Sequence, residues 1–174
     1  MIQKFCFGFL LLQVTSTCIL AQKAPDRNGN LVGFLNKTDF YQEPFRNWFE
    51  KEYESYQPKQ SILKKIKKEL EGVDVKIFMG SWCHDSHREI PRYFKLMETA
   101  GFDVNKHTEI IGLTRGKKAP DDLQKGFDIE HTPTFIFYKD GKEIGRYIEH
   151  ARQTMEKDFL KILKGTSYKH SYEK

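Results

Sequence analysis

Cys83 stands between Trp82 and the polar run His84-Asp85-Ser86-His87, where the apolar stretch Val73–Met79 gives way to a helical pattern. The thiolate is the reactive form of cysteine. A cysteine in the first turn of a helix faces N–H groups that lack intrahelical acceptors and the positive end of the helix dipole, and both favour an anionic sulfur. Position alone makes Cys83 a candidate nucleophile. His87, four residues on, is expected to share its helix face, and either His87 or His84, as a cation, would stabilise the sulfur further, while Asp85 acts in the opposite direction. Cys83, His84, Asp85 and His87 are also metal-ligand types at helix-compatible spacing, so a metal site stays open. Ser86 carries a hydroxyl, a far poorer nucleophile than a thiol at neutral pH, so it cannot expel a mixed disulfide formed at Cys83. What remains is single-thiol chemistry: attack on a disulfide and resolution by another thiol, or oxidation of the sulfur to a sulfenic acid.

The chain on either side must position that sulfur. Val73–Met79 reads as a strand, half alternating and rich in β-branched residues, leading directly into the cysteine. Beyond it, Ile90, Phe94 and Met97, or Tyr93 and Leu96, fall at helical spacing up to Gly101, and Pro91 should kink that helix. Upstream, Leu31–Leu35 predicts a short strand, Thr38 or Asp39 a capped helical turn, and Pro44 a helix with Phe45, Trp48, Phe49 and Tyr53 on one face. A second helix from Pro58 places Ile62, Leu63, Ile66 and Leu70 together and ends near Gly72. Downstream, Thr108–Thr114 is a strand candidate and Asp121 starts a short turn. The runs 134–138 and 143–148 flank Asp140-Gly141 as a hairpin. A helix over Arg152–Leu163 and a polar tail from Gly165, expected to fray, complete the chain. The order predicts an α/β fold, a mixed sheet with helices on its faces.

The segment Trp82-Cys83-His84-Asp85-Ser86 resembles the Trp-Cys-x-x-Cys active site of the thioredoxin family, with Ser86 at the place of the second cysteine. Pro91, the loop His131-Thr132-Pro133-Thr134-Phe135 and the hairpin around Asp140-Gly141 extend the resemblance over about Val73 to Leu163. It implies a thioredoxin-like fold, with a central mixed sheet flanked by helices and an N-terminal helical extension. The boundaries that follow are an extension over 22–57, a thioredoxin-like domain over 58–164 and a polar tail over 165–174. The resemblance also implies that Pro133 is cis and packs against the thiol, and that the Thr132 backbone offers an extended substrate a strand edge. The buried acid of many thioredoxins would fall at Ile77 and is therefore missing. The glycine that lines the family's substrate groove would fall at Glu149, with His150 beside it; Glu149 or His150 is expected to approach the thiol and either narrow the groove or replace the missing proton relay.

Three functions stay open on these residues. The first is thiol–disulfide exchange through Cys83, isomerase-like or redox-sensing, with protein or low-molecular-weight thiols and disulfides as partners and no cofactor. The second is a thioredoxin-like binding scaffold in which Cys83 is a relic. The third is a metal site built from Cys83, His84 and His87. Basic residues number 29 against 24 acids, a net charge of +5, and the two signs are interleaved, as in Lys64-Lys65-Ile66-Lys67-Lys68-Glu69. That pattern suits a solvated helix face and not the clustered stripe of a nucleic-acid binder. Residues 1–21, with Lys4 ahead of an apolar stretch and a small-residue approach to Ala21, read as a secretory signal peptide, too short and broken for a stable membrane span. Export to a periplasm or the cell exterior follows, a lipid anchor on Cys18 being the alternative. Cleavage removes Cys6 and Cys18, leaving Cys83 alone of three cysteines.

Overall fold

The computed structural model describes residues 25, 26 and 28–173. The leader expected over residues 1–21, with Cys6 and Cys18, lies outside them. Five strands form one sheet in the order β1-β3-β2-β4-β5: β1 Gly33–Leu35, β2 Val73–Met79, β3 Thr108–Gly112, β4 Thr134–Lys139 and β5 Lys142–Ile148. β2 and β3 are parallel; β1 on β3, β4 on β2 and β5 on β4 are antiparallel. This is the mixed, helix-flanked α/β sheet expected from the residue pattern. The helices are α1 Arg46–Ser55, α2 Gln60–Lys67, α3 His84–Thr99, α4 Val104–His107 and α5 Met155–Leu163.

The period-two alternation of β2 sorts its side chains between two unequal cores. Val73, Val75, Ile77 and Met79 join Phe135, Phe137 and Tyr147 beneath Phe49 of α1, Leu63 and Ile66 of α2, Ile90, Tyr93 and Phe94 of α3, and Phe159 of α5. Full burial of each such side chain contributes about 1.5–3 kcal/mol. On the other face, Phe78, Ile111, Leu113 and Ile136 are covered by Ala119, Leu123, Phe127 and Ile129, which come from a connection whose one regular element is the 3-10 turn Pro120–Asp122. α3 runs through Pro91, which lacks the N–H that would otherwise bond the carbonyl of His87.

The local differences from the sequence reading have identifiable causes. Asn36, not Thr38 or Asp39, caps the first helical turn: its side chain accepts from Thr38 N–H, while Asp39 accepts the Asn36 N–H at 2.7 Å. β1 starts at Gly33 because the chain before it is tied to the site, Leu31 N–H donating to Ser81 Oγ at 2.9 Å. Gly112 must be glycine for the same approach, since a Cβ there would lie 2.4 Å from Leu31 O. α5 begins at Met155 because Thr154 caps it.

The stretch read as an N-terminal extension supplies edge strand β1, and its Phe40 and Phe49 lie in the main core, so no separate core ends near residue 57. The tail does not fray. Tyr168 packs against the core, Ser171 Oγ donates to Ile148 O at 2.6 Å, and Arg152 Nη1 donates to the carbonyls of His170 and Glu173. Among the described residues no helix is long and apolar enough to cross a membrane.

Candidate functional site

β2 delivers the chain to the site at Met79, and a tight turn then sets Cys83 at the head of α3. The Cys83 N–H donates to Gly80 O at 2.9 Å, and the Cys83 carbonyl accepts from His87 N–H at 3.1 Å, the first turn of the helix. Gly80 leaves room for the Trp82 indole, where a Cβ would sit 2.5 Å from the ring. The indole is fixed in turn: its Nε1–H donates to Leu113 O at 2.9 Å, and the Arg115 guanidinium lies 5.5 Å from its ring centroid. Cys83 itself is the N-cap residue of α3, with extended backbone and partly exposed side chain. Ser86, fully buried, accepts the Gly80 N–H through Oγ at 3.3 Å, so its hydroxyl braces the turn.

The loop before β4 faces this turn. The Thr132–Pro133 peptide bond is cis. Cys83 does not cap α3 with its sulfur; Sγ–H donates to Thr132 O at 3.0 Å. The next carbonyl, that of Pro133, accepts from Glu149 N–H at 2.8 Å. Glu149 holds a left-handed φ of 56°, a conformation ordinarily left to glycine. Its carboxylate meets two groups: Oε1 lies 3.3 Å from His131 Nδ1, and Oε2 accepts from the Tyr172 hydroxyl. The Tyr172 ring stacks on His131, with centroids 3.7 Å apart and planes 11° from parallel. The hydrogen bond to Glu149 is the first cause that pushes the Tyr172 hydroxyl up to about 12, followed by burial and the charges of Glu149, Asp85 and Cys83. His150 is more distant from that ring, at 6.4 Å between centroids. A cavity of about 460 Å³ opens behind the pair, bounded by Glu130, His131, Arg146, Ile148, Tyr168 and Tyr172.

The residues singled out by sequence divide into those brought to the sulfur and those committed elsewhere. Thr132 touches Cys83, and Pro133 links Thr132 to Glu149. His87 does not serve the sulfur as expected: Nε2 is 2.6 Å from Ser81 O, a contact that requires the proton on Nε2, and the ring stacks on Trp48 at 4.4 Å. Asp85 pairs with Arg88 at 2.7 Å, and His84 is exposed. Among the described residues no three His, Cys, Asp or Glu side chains are placed to share a metal ion, so the metal reading of Cys83, His84 and His87 loses its geometry. Ile77 is core, with no acid at that place. A buried acid enters from α3 instead: Glu89, 3% exposed, accepts from Arg88 Nε at 2.5 Å and from Tyr147 Oη at 2.6 Å. Its signal was present in the sequence, since Glu89 lies three residues after Ser86 and four before Tyr93, inside the apolar stripe. His131 was marked only as a member of the loop before β4 and nothing local marked Tyr172; the folded tail joins them.

No family model matches the chain. Over 86 residues it is 27% identical to Thioredoxin H9 of Arabidopsis thaliana, an alignment covering 49% of this chain and 56% of that protein. The match thus spans little more than half the length of that relative. Among solved structures, a protein of unknown function from Pseudomonas aeruginosa aligns with a TM-score of 0.45 and 17% identity, over 68% of this chain and 81% of the other. An HIV epitope-scaffold aligns with a TM-score of 0.47 and 14% identity, over 70% and 82%. The sequence likeness to a thioredoxin is distant, and the mixed five-stranded sheet is consistent with a thioredoxin-like fold.

Proposed function

We propose that this chain is an exported protein that performs single-thiol thiol–disulfide exchange through Cys83. The observation that carries the reading is the placement of Sγ: partly exposed, at the head of α3, and 3.0 Å from the carbonyl of Thr132 in the cis-proline loop. In the first step the Cys83 thiolate attacks one sulfur of R–S–S–R′. A Cys83–S–S–R bond forms, the S–S bond of the substrate breaks, and R′–S⁻ leaves to take a proton from solvent. In the second step a thiolate R″–S⁻ attacks the R sulfur, giving R–S–S–R″ and restoring Cys83. No net oxidant or reductant is consumed. Ser86, buried and bound to Gly80 N–H, takes no part, so resolution comes from outside the motif.

One feature favours the scaffold reading. A carbonyl can accept from a thiol but has no proton to offer a thiolate, so the bond to Thr132 O holds the protonated, unreactive form and must be given up for attack. Exchange between a small disulfide and a small thiol, followed with and without the protein, separates the two. Catalysed exchange that disappears in Cys83→Ser supports the proposed function. A rate equal to the uncatalysed one leaves the scaffold.

A further inference from the structure

We infer that Tyr172 is a specificity-determining residue, screening the thiol from extended polypeptides while leaving it open to small disulfides. The inference rests on the exchange reading and names its substrate class. An extended chain approaching Cys83 would lie along the loop that carries Thr132, whose own carbonyl is already taken by Sγ. The residues on the two sides of that loop are His131 and, through its bond to Pro133 O, Glu149. Tyr172 covers both. Its ring lies flat on His131 and its hydroxyl donates to Glu149. A polypeptide laid along this loop would meet the Tyr172 ring on His131.

The cover is built into the fold. Ser171 Oγ is on Ile148 O, Arg152 Nη1 holds His170 O and Glu173 O, and Tyr172 N–H donates to His170 Nδ1 at 3.2 Å. The screen is also displaceable. Tyr172 is 45% exposed, and the cavity of about 460 Å³ beside it gives the ring a place to move. Cys83 remains partly exposed with the ring in place, so a compact disulfide reaches it where a backbone in extended conformation does not. Glu149 fits this role. A glycine would relieve its left-handed backbone, but only a side chain with an acceptor can hold the tyrosine.

The test compares two probes on the full chain. One is 2,2′-dithiodipyridine; the other is a ten-residue peptide carrying a single cysteine as its S-thiopyridyl disulfide. Each transfers to Cys83 with release of one thiopyridine, which is read directly, and adducts are assigned by peptide mapping. In the wild type the small probe should react far faster than the peptide. Tyr172→Ala should narrow that ratio about tenfold, the scale of one charge-assisted hydrogen bond with its ring contact, chiefly by accelerating the peptide. Tyr172→Phe, which keeps the stack on His131 and loses only the bond to Glu149, should fall between the two. An unchanged ratio in Tyr172→Ala, with both probes labelling Cys83, overturns the inference and leaves exchange standing. No labelling of Cys83 by either probe in any of the three proteins overturns the exchange reading and this inference with it.

Discussion

Cys83 and Glu149 are bonded to successive carbonyl groups of one dipeptide. Cys83 Sγ–H donates to Thr132 O at 3.0 Å, and Glu149 N–H donates to Pro133 O at 2.8 Å. The loop before β4 is thus the common support of the candidate nucleophile and of the carboxylate that docks the tail. A change at Glu149 reaches the surroundings of the sulfur without touching it.

Glu149→Gln tests that link through its effect on Tyr172. The raised pKa of Tyr172 means that the docked tail holds the phenolic proton more tightly than the released one. Its contribution to docking is therefore complete below the ordinary value of 10 and lost as pH rises through about 12. In Glu149→Gln the acceptor is neutral, and the Tyr172 titration, followed by NMR of ring-labelled tyrosine, should move back toward 10. A titration unmoved by the substitution contradicts the assignment of Glu149 as the main cause.

Ser86→Cys should convert the single thiol into a dithiol. Positions 83 and 86 share the first turn of α3, and position 86 is fully buried, so the new sulfur would sit behind the exposed one as a resolving group. The variant should reduce glutathione disulfide, a substrate small enough to pass Tyr172, with dithiothreitol as electron source, at a rate at least about tenfold above the wild type, as expected when resolution becomes intramolecular. Equal rates would mean that the site cannot run the dithiol cycle even with both sulfurs present.

Tyr147→Phe should destabilise the fold. Tyr147 and Glu89 are both buried, and the hydroxyl is one of two donors to the Glu89 carboxylate, the other being Arg88. Leaving Glu89 Oε2 without its partner costs about 1–3 kcal/mol. Urea denaturation should show a lower midpoint with an unchanged slope; an unchanged midpoint would show that the bond contributes no net stability.

Asp158→Asn should stabilise the protein near neutral pH. Asp158 is fully buried, its Oδ2 accepts from the N–H groups of Arg152 and Gln153, and among the described residues neither Oδ1 nor the buried hydroxyl of Tyr168 has a hydrogen-bond partner. Burial is the first cause that raises its pKa above 3.8. A raised carboxylate binds its proton more tightly in the folded state, so folding loses stability as pH rises from 3.8 through the folded value. Asparagine carries no charge to bury, and its Oδ1 can keep the N–H groups of Arg152 and Gln153. The expected gain is about 1–3 kcal/mol at pH 7, shrinking as pH falls toward 4. A gain of the same size at both pH values would mean that ionisation is not its source.

What could be read from sequence follows the range of the interactions. β2, α3 with Pro91, the Asp140-Gly141 hairpin and α5 are written in periodicity and turn residues, and the structure contains each of them. The contact of Cys83 with the Thr132 loop was available only through the thioredoxin resemblance, because 49 residues separate the two. His87 went astray for a physical reason. Helical spacing says which face a residue takes, but the competing acceptor at Ser81 O and the flat face of Trp48 decide where its ring goes. Tyr172 was invisible because a polar tail, short of apolar residues, carries no signal of docking. Its place is set by Glu149, 23 residues upstream, by Arg152 in the same segment, and by the anchoring of its neighbour Ser171 on Ile148 O, contacts too remote from the tail for local pattern to show.

The most direct test of the central claim is to trap Cys83 in the act of exchange. The full chain is treated with glutathione disulfide, quenched with acid and located by peptide mapping, then treated with free glutathione. The expected result is one glutathionyl group on Cys83, removed by the added thiol with release of glutathione disulfide, and absent in Cys83→Ser. A Cys83 that takes up no glutathione in the folded protein, yet does so in urea, would contradict exchange and leave the sulfur a structural thiol held by Thr132.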